Sequence, residues 1–286
     1  MPLDQAAEEA QSRTPMCELF ALSARFPATV TLSLQEFALH GGFSACHADG
    51  WGIAYFDETG YDTYLVRDTA PAFKSPWVSF VESAGLASTT VISHIRKATM
   101  GSVSLPNTHP FQREMNGYSH VFARNGKLSG LAEAYTLDKL GFQPVGTTDS
   151  ELAFCVLLQA LQKIGSKSKT RPPLADRLSV FVDFAAEMRQ RGMANFLYAD
   201  GEALFVHSHK RTQNDGAVRA PGLHMLTREC RTKDSAFNHA GVEMVHHGDQ
   251  PIQRAALFAS VPLSSEGWVA LPANEVVVAC AGVLHQ

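Results

Sequence analysis

Two helical segments stand side by side in the middle of a chain otherwise built of strands. Thr148–Ile164 has a Thr-Thr-Asp-Ser start followed by apolar residues at Leu152, Cys155, Val156 and Leu158. Leu174–Arg191 has an apolar face through Leu178, Phe181, Val182 and Ala185. Before them the pattern predicts strands at Glu18–Arg25, Trp51–Phe56, Thr63–Arg67, Thr89–Ile95 and Tyr118–Ala123. After them it predicts strands at Ala194–Tyr198, Ala203–His207, Leu223–Thr227, Ala255–Ser260 and Val276–Ala279. Strands and helices do not alternate, so a doubly wound parallel sheet is excluded in favour of two mainly antiparallel sheets with helices outside. Shorter helices are expected at Leu32–Leu39 and Ser75–Ala84, and hairpin turns at Glu58-Thr59-Gly60 and Asp200–Gly201. The stretch between Ile95 and Tyr118 reads as a loop rich in Pro, Asn and Gly.

Composition bounds the function classes. The 286 residues are 45% hydrophobic and 18% charged, enough to bury a substantial core. Lys and Arg number 24 against 28 Asp and Glu, so a nucleic-acid binder working by bulk positive charge is not expected. No apolar run reaches the roughly 20 residues that a membrane-spanning helix needs. Five cysteines, none in a Cys-x-x-Cys spacing, argue against a disulfide framework and point to a reducing cytoplasm. Met1–Pro15 is polar and acidic and lacks the basic start and apolar centre of a secretory signal. Residues 1–16 read as a leader, a propeptide or a mis-assigned start, and 17–286 as one domain.

Several familiar signatures are missing: no phosphate-binding Gly-rich loop, no dinucleotide fingerprint and no His-Glu-x-x-His. Gly42-Phe43-Ser44-Ala45-Cys46 is a nucleophile elbow broken at its last position. His207-Ser208-His209 and His246–His247 read as surface histidines.

The segment that resists a bland reading is Met16-Cys17, where globular patterning begins. A chain starting at Met16 and losing it would carry a free α-amine on Cys17. That amine has a pKa of about 7.7–8.0, so one residue would supply both thiol nucleophile and general base. Such a nucleophile needs oxyanion donors, and Asn125-Gly126 follows a predicted strand; read alone, that pair is a simple hairpin turn. Arg96, ending the strand of His94-Ile95-Arg96-Lys97-Ala98-Thr99, suits a carboxylate. Asp149 opens the best helix, where capping is the ordinary role of an acid and holding an ammonium group is the alternative.

Taken as a set, Met16-Cys17-Glu18-Leu19, Asp49-Gly50-Trp51-Gly52-Ile53, His94-Ile95-Arg96, Asn107-Thr108-His109-Pro110-Phe111, Asn125-Gly126 and Thr148-Asp149-Ser150-Glu151 resemble the class II glutamine amidotransferase domain of the N-terminal-nucleophile (Ntn) hydrolases. The resemblance runs from Cys17 to the end and is nearest the stand-alone, bacterial-type branch, which includes enzymes acting on γ-glutamyl compounds. It implies an α+β fold, a four-layer αββα sandwich. It also implies a thiol amidohydrolase in which Cys17 attacks the γ-carbonyl of glutamine or a γ-glutamyl amide and passes through a thioester. Asn125 and Gly126 would form the oxyanion hole, Arg96 would clamp the α-carboxylate and Asp149 would bind the α-amine. Thr99 and His109 would be further substrate-binding positions, and neither metal nor cofactor is called for. Lys97 and Arg124 stand where larger members commonly carry Trp and His, and Met100 where many carry His. Two rival expectations follow: a glutaminase subunit supplying ammonia to a separate synthase partner, or a non-catalytic γ-glutamyl-binding protein if residues 1–16 are retained.

Overall fold

The computed structural model describes residues 17–30, 49–97, 101–165, 170–213, 215–231, 238–239, 242–244 and 252–285. The expected helix at Leu32–Leu39, the broken elbow around Ser44, Thr99, Met100 and His246–His247 lie outside them. The strands in chain order are β1 (Glu18–Thr29), β2 (Trp51–Phe56), β3 (Thr63–Asp68), β4 (Ala87–Ile95), β5 (Phe111–Met115), β6 (Tyr118–Asn125), β7 (Asn195–Ala199) and β8 (Leu204–Ser208). They continue as β9 (Arg211–Thr212), β10 (Val218–Arg219), β11 (His224–Arg231), β12 (Asn238–His239), β13 (Val242–Met244), β14 (Ile252–Ala259), β15 (Val269–Ala270), β16 (Glu275–Cys280) and β17 (Val283–His285). Among the described residues four α-helices accompany them: α1 (Pro76–Ala84), α2 (Leu131–Ala134), α3 (Asp149–Gly165) and α4 (Leu174–Arg191).

The strands form two large antiparallel sheets. The first runs β15-β11-β14-β1-β4-β2-β3, with β13 paired to β1 and β12 to β13; the second runs β17-β16-β8-β7-β6-β5. Three apolar layers follow from the two-residue period of the strands. Leu19 and Ala21 face Val121, Ala123, Leu197 and Val206 between the sheets. Phe20 and Leu22, one residue out of step, face outward onto Val78 and Val81 of α1. On the far side, Phe122, Phe196, Tyr198 and Phe205 meet Phe154, Leu157, Leu158, Phe181 and Phe184 of α3 and α4. The order helix, sheet, sheet, helix is the four-layer sandwich. Each buried Phe or Leu contributes about 1.5–3 kcal/mol to holding it together.

Local chemistry explains the element ends. Ser75 caps α1, its Oγ accepting from the Trp77 N–H at 3.3 Å, with Pro76 at the first helical position. Thr148 caps α3: its Oγ1 accepts from the Glu151 N–H at 3.2 Å, while the Glu151 carboxylate accepts from the Gly146 N–H at 2.6 Å. The two expected hairpin tips meet: a Cβ on Gly201 (φ +87°) would lie 1.8 Å from the Gly60 carbonyl, so neither turn has room for a side chain there.

Two expectations need correction. The segment read as loop before Tyr118 contains β5, an edge strand paired only with β6. Its Phe111 and Met115 are buried but Gln112, Arg113 and Glu114 between them are not, so its apolar signal is too sparse to read. His207 and His209 are not on the surface: they are 0% and 8% exposed. Strand β8 is covered on both faces, and the His207 imidazole meets the Ala194 carbonyl at 2.5 Å through Nδ1.

Buried imidazoles make the fold acid-sensitive. Burial lowers His207 from 6.5 to about 4. It does the same to His120, whose Nδ1 lies 2.7 Å from the Tyr198 hydroxyl. Both are neutral in the fold and take up protons on unfolding below their ordinary pKa, so their contribution is complete above about pH 6.5 and is lost as pH falls toward about 4. Each is expected to cost about 2 kcal/mol by about pH 5, read as a falling urea midpoint below about pH 7. A midpoint flat over that interval would contradict the neutral burial of these rings.

Candidate active site

Antiparallel pairing puts Cys17 and Arg96 at one end of the first sheet. Glu18 at the start of β1 lies opposite Ile95 at the end of β4, and Trp51 at the start of β2 flanks the same Ile95. The residues just outside these strands therefore converge. The Arg96 N–H donates to the Gly50 carbonyl at 2.8 Å. The Arg96 guanidinium donates to the Ser102 carbonyl at 3.2 Å and reaches the Asp49 and Gly101 carbonyls at 3.4 Å. The half-buried Cys17 accepts at Sγ from the Lys97 N–H at 3.1 Å and contacts the Lys97 carbonyl at 3.2 Å.

The second sheet delivers Asn125. It is the last residue of β6, paired with Asn195 at the start of β7, and its side-chain amide donates to the Cys17 carbonyl. Asn125-Gly126 is not a hairpin turn: β6 pairs with β5 and β7, and the chain after it leads to α2. Gly126 has φ +122°, and a Cβ there would lie 2.1 Å from the Met193 carbonyl. Gly126→Ala is therefore expected to displace this turn, with about 1–3 kcal/mol of backbone strain added to the clash. Thermal unfolding and turnover of that variant check this, and a variant with both unchanged would contradict it.

Thr148 performs the capping of α3, which leaves the Asp149 carboxylate for other work. Its Oδ2 lies 2.6 Å from the Arg124 guanidinium and accepts from the Leu128 N–H at 2.7 Å. Arg124 is 1% exposed and also donates to the Ser150 hydroxyl at 3.1 Å and the Met193 carbonyl at 3.3 Å. Burial pulls its pKa down, against the opposing pull of Asp149. The sequence reading gave Arg124 no role, although a charged residue among the apolar positions of β6 was the available signal.

Burial raises the Cys17 thiol above its ordinary value, while the Lys97 N–H and the charges of Arg96 and Arg124 oppose the rise. A thiol held protonated needs a base. His109 does not face open space: it is 5% exposed, with its ring 4.3 Å from that of His94 and 4.4 Å from that of Phe111. Burial, then the neighbouring His94, Arg124, Arg96 and Arg67, holds it well below the usual imidazole range, hence neutral. Among the described residues no group of three or more His, Cys, Asp and Glu is placed to hold a metal ion. Nor is any helix among them long and apolar enough to cross a membrane.

The chain is similar to proteins already described. YafJ of Escherichia coli (strain K12), whose name describes it provisionally as a glutamine amidotransferase, is 32% identical over 269 residues, 93% of this chain and 98% of YafJ. A crystal structure described as a predicted glutamine amidotransferase from Pseudomonas aeruginosa PA01 superposes with a TM-score of 0.63 at 30% identity, covering 94% of this chain and 99% of that one. The fold alone is shared with the glutamine phosphoribosylpyrophosphate amidotransferase of B. subtilis, at 15% identity and a TM-score of 0.54, over 94% of this chain and 48% of that one. The family model described as "Glutamine amidotransferases class-II" matches residues 16–286. With Cys17, Arg96 and Asn125 gathered at one end of two facing antiparallel sheets, the chain belongs to the class-II glutamine amidotransferases.

Proposed function

We propose that the protein hydrolyses the γ-amide of glutamine or of a γ-glutamyl compound through a thioester on Cys17, with Cys17 as the first residue of the working form. The observation that carries this reading is the Asn125 amide on the Cys17 carbonyl, a contact between residues 108 apart in sequence. It sets a neutral donor beside a thiol that already lies against the residue following Arg96. Family membership supports amide hydrolysis on a small-molecule substrate in general terms.

The Cys17 α-amine takes the thiol proton, and the sulfur forms a bond to the γ-carbon. The oxyanion that develops is met by the Asn125 side-chain amide and the Gly126 N–H. The C–N bond breaks as the α-ammonium returns its proton to the departing ammonia or amine. Water, deprotonated by the same amine, then attacks the thioester; glutamate leaves and the thiol recovers its proton. Arg96 and Asp149 hold the amino-acid end, with the neutral His109 packed against His94 and Phe111 behind them. A reducing compartment such as the cytoplasm keeps the free thiol available.

Intact-mass measurement paired with ammonia release from L-glutamine tests the proposal. The active species is expected to begin at Cys17, and turnover to rise with pH through the α-amine pKa, about 7.7–8.0. Full activity from a chain still carrying Met16 would overturn the α-amine mechanism.

A further inference from the structure

An α-amino acid presents its carboxylate and its ammonium on one carbon, so the groups that receive them must be held at a fixed spacing. In the reading above those groups are Arg96 and Asp149, and they come from different parts of the fold. Arg96 follows β4 of the first sheet, whereas Asp149 opens α3, which packs on the second. No strand pairing links the two, so their spacing has to be set by something else.

Two loops carry these anchors. The loop 101–104 accepts the Arg96 guanidinium on the Ser102 carbonyl at 3.2 Å and on the Gly101 carbonyl at 3.4 Å. The segment Gly146-Thr147-Thr148 runs straight into Asp149. Asn107 bridges them. Its Nδ2 donates to the same Ser102 carbonyl at 3.1 Å and reaches the Ser102 hydroxyl at 3.4 Å. Its Oδ1 accepts from the Thr147 N–H at 2.8 Å, and Nδ2 also reaches the Thr147 Oγ1 at 3.3 Å. One side-chain amide is thus shared between both loops, its oxygen end fixed by an N–H that can only donate.

The surroundings leave this amide little latitude. Asn107 is 2% exposed. A Cβ on Gly101 (φ +73°) would lie 2.9 Å from its Nδ2, and a Cβ on Gly146 would lie 2.3 Å from its Oδ1. Both loops therefore approach the side chain at glycines, as a bridge between two backbones requires. Among the described residues, the side-chain hydrogen bonds of Asn107 run to these loops and not to Cys17 or Asn125.

We propose that Asn107 is a positioning residue: it sets the spacing between Arg96 and Asp149, and so governs the grip on the amino-acid end of the substrate without entering the chemistry at Cys17. The inference rests on the amidohydrolase reading and on the roles given there to Arg96 and Asp149.

The test is Asn107→Ala, made in protein that begins at Cys17 and assayed by ammonia release from L-glutamine. KM is expected to rise about fivefold or more while kcat stays within about threefold. Alkylation of Cys17 by iodoacetamide, followed by mass spectrometry, needs no amino-acid end and is expected at the wild-type rate. A smaller rise in KM from a folded variant overturns the inference. So does a loss of kcat or of alkylation rate as large as the rise in KM, which would mark a general disturbance of the Cys17 end. Gly146→Ala presses on the Asn107 amide from the other loop and is expected to give the same KM-only signature. It decides the matter by the same criteria should Asn107→Ala fail to fold. Loss of the fold in both variants would make Asn107 a packing residue and overturn the inference as well. Absence of ammonia from the wild-type protein sinks the amidohydrolase reading, and this inference with it.

Discussion

Cys17→Ala is expected to remove glutaminase turnover almost completely, by about 10⁴-fold or more, with the fold intact. The size of the effect follows from the proposed mechanism, in which Cys17 is the nucleophile, since no donor set can replace a missing nucleophile. Stability should change little, because Cys17 is half-buried and, among the described residues, its sulfur is hydrogen-bonded to the Lys97 backbone and not to another side chain. Rates measured alongside thermal unfolding separate the two outcomes. Glutamate release at the wild-type rate from a folded Cys17→Ala protein would end the assignment. A companion experiment isolates the amine. Adding back one residue before Cys17 converts the base to an amide while keeping the thiol, and should cost nearly as much as removing the sulfur.

Asn125→Ala is expected to lower kcat by about 10²–10³-fold with KM nearly unchanged, because in the proposed mechanism the amide meets the oxyanion and not the bound ground state. Asn125 also holds the Cys17 carbonyl, so part of the loss could come from a displaced nucleophile. Asn125→Asp distinguishes these: it keeps the size of the side chain but replaces the donor with an anion facing the developing charge. It should be at least as inactive as Asn125→Ala. A variant in which KM rises and kcat holds would instead place Asn125 in substrate binding.

Much of this architecture is legible in local sequence. The apolar face through Leu178, Phe181 and Ala185 locates α4, observed at Leu174–Arg191. The Ser-Pro before α1 and the Thr before α3 mark helix starts, because capping is a contact between residues three or fewer apart. β5 escaped because an edge strand need not alternate strongly. The burial of His207 escaped because it depends on two layers closing over β8, which no window of the chain contains.

The site divides the same way. Cys17, Arg96, Asn125, Gly126 and Asp149 can be nominated from residue type and position, since a thiol, a clamp, an amide and a carboxylate have characteristic neighbours in sequence. What they do to one another is a matter of tertiary structure. Antiparallel register brings Cys17 to Lys97 across 80 residues, and the facing of two sheets brings Asn125 to Cys17 across 108. The end of β6 and the start of α3 bring Arg124 to Asp149. The sequence by itself determined two mainly antiparallel sheets with helices outside, and the chemical groups, because periodicity and residue type are local properties. Only the tertiary structure decided that Asp149 is already paired and that Asn107 bridges its loop to that of Arg96, because charge compensation and side-chain bridges belong to residues that meet by folding.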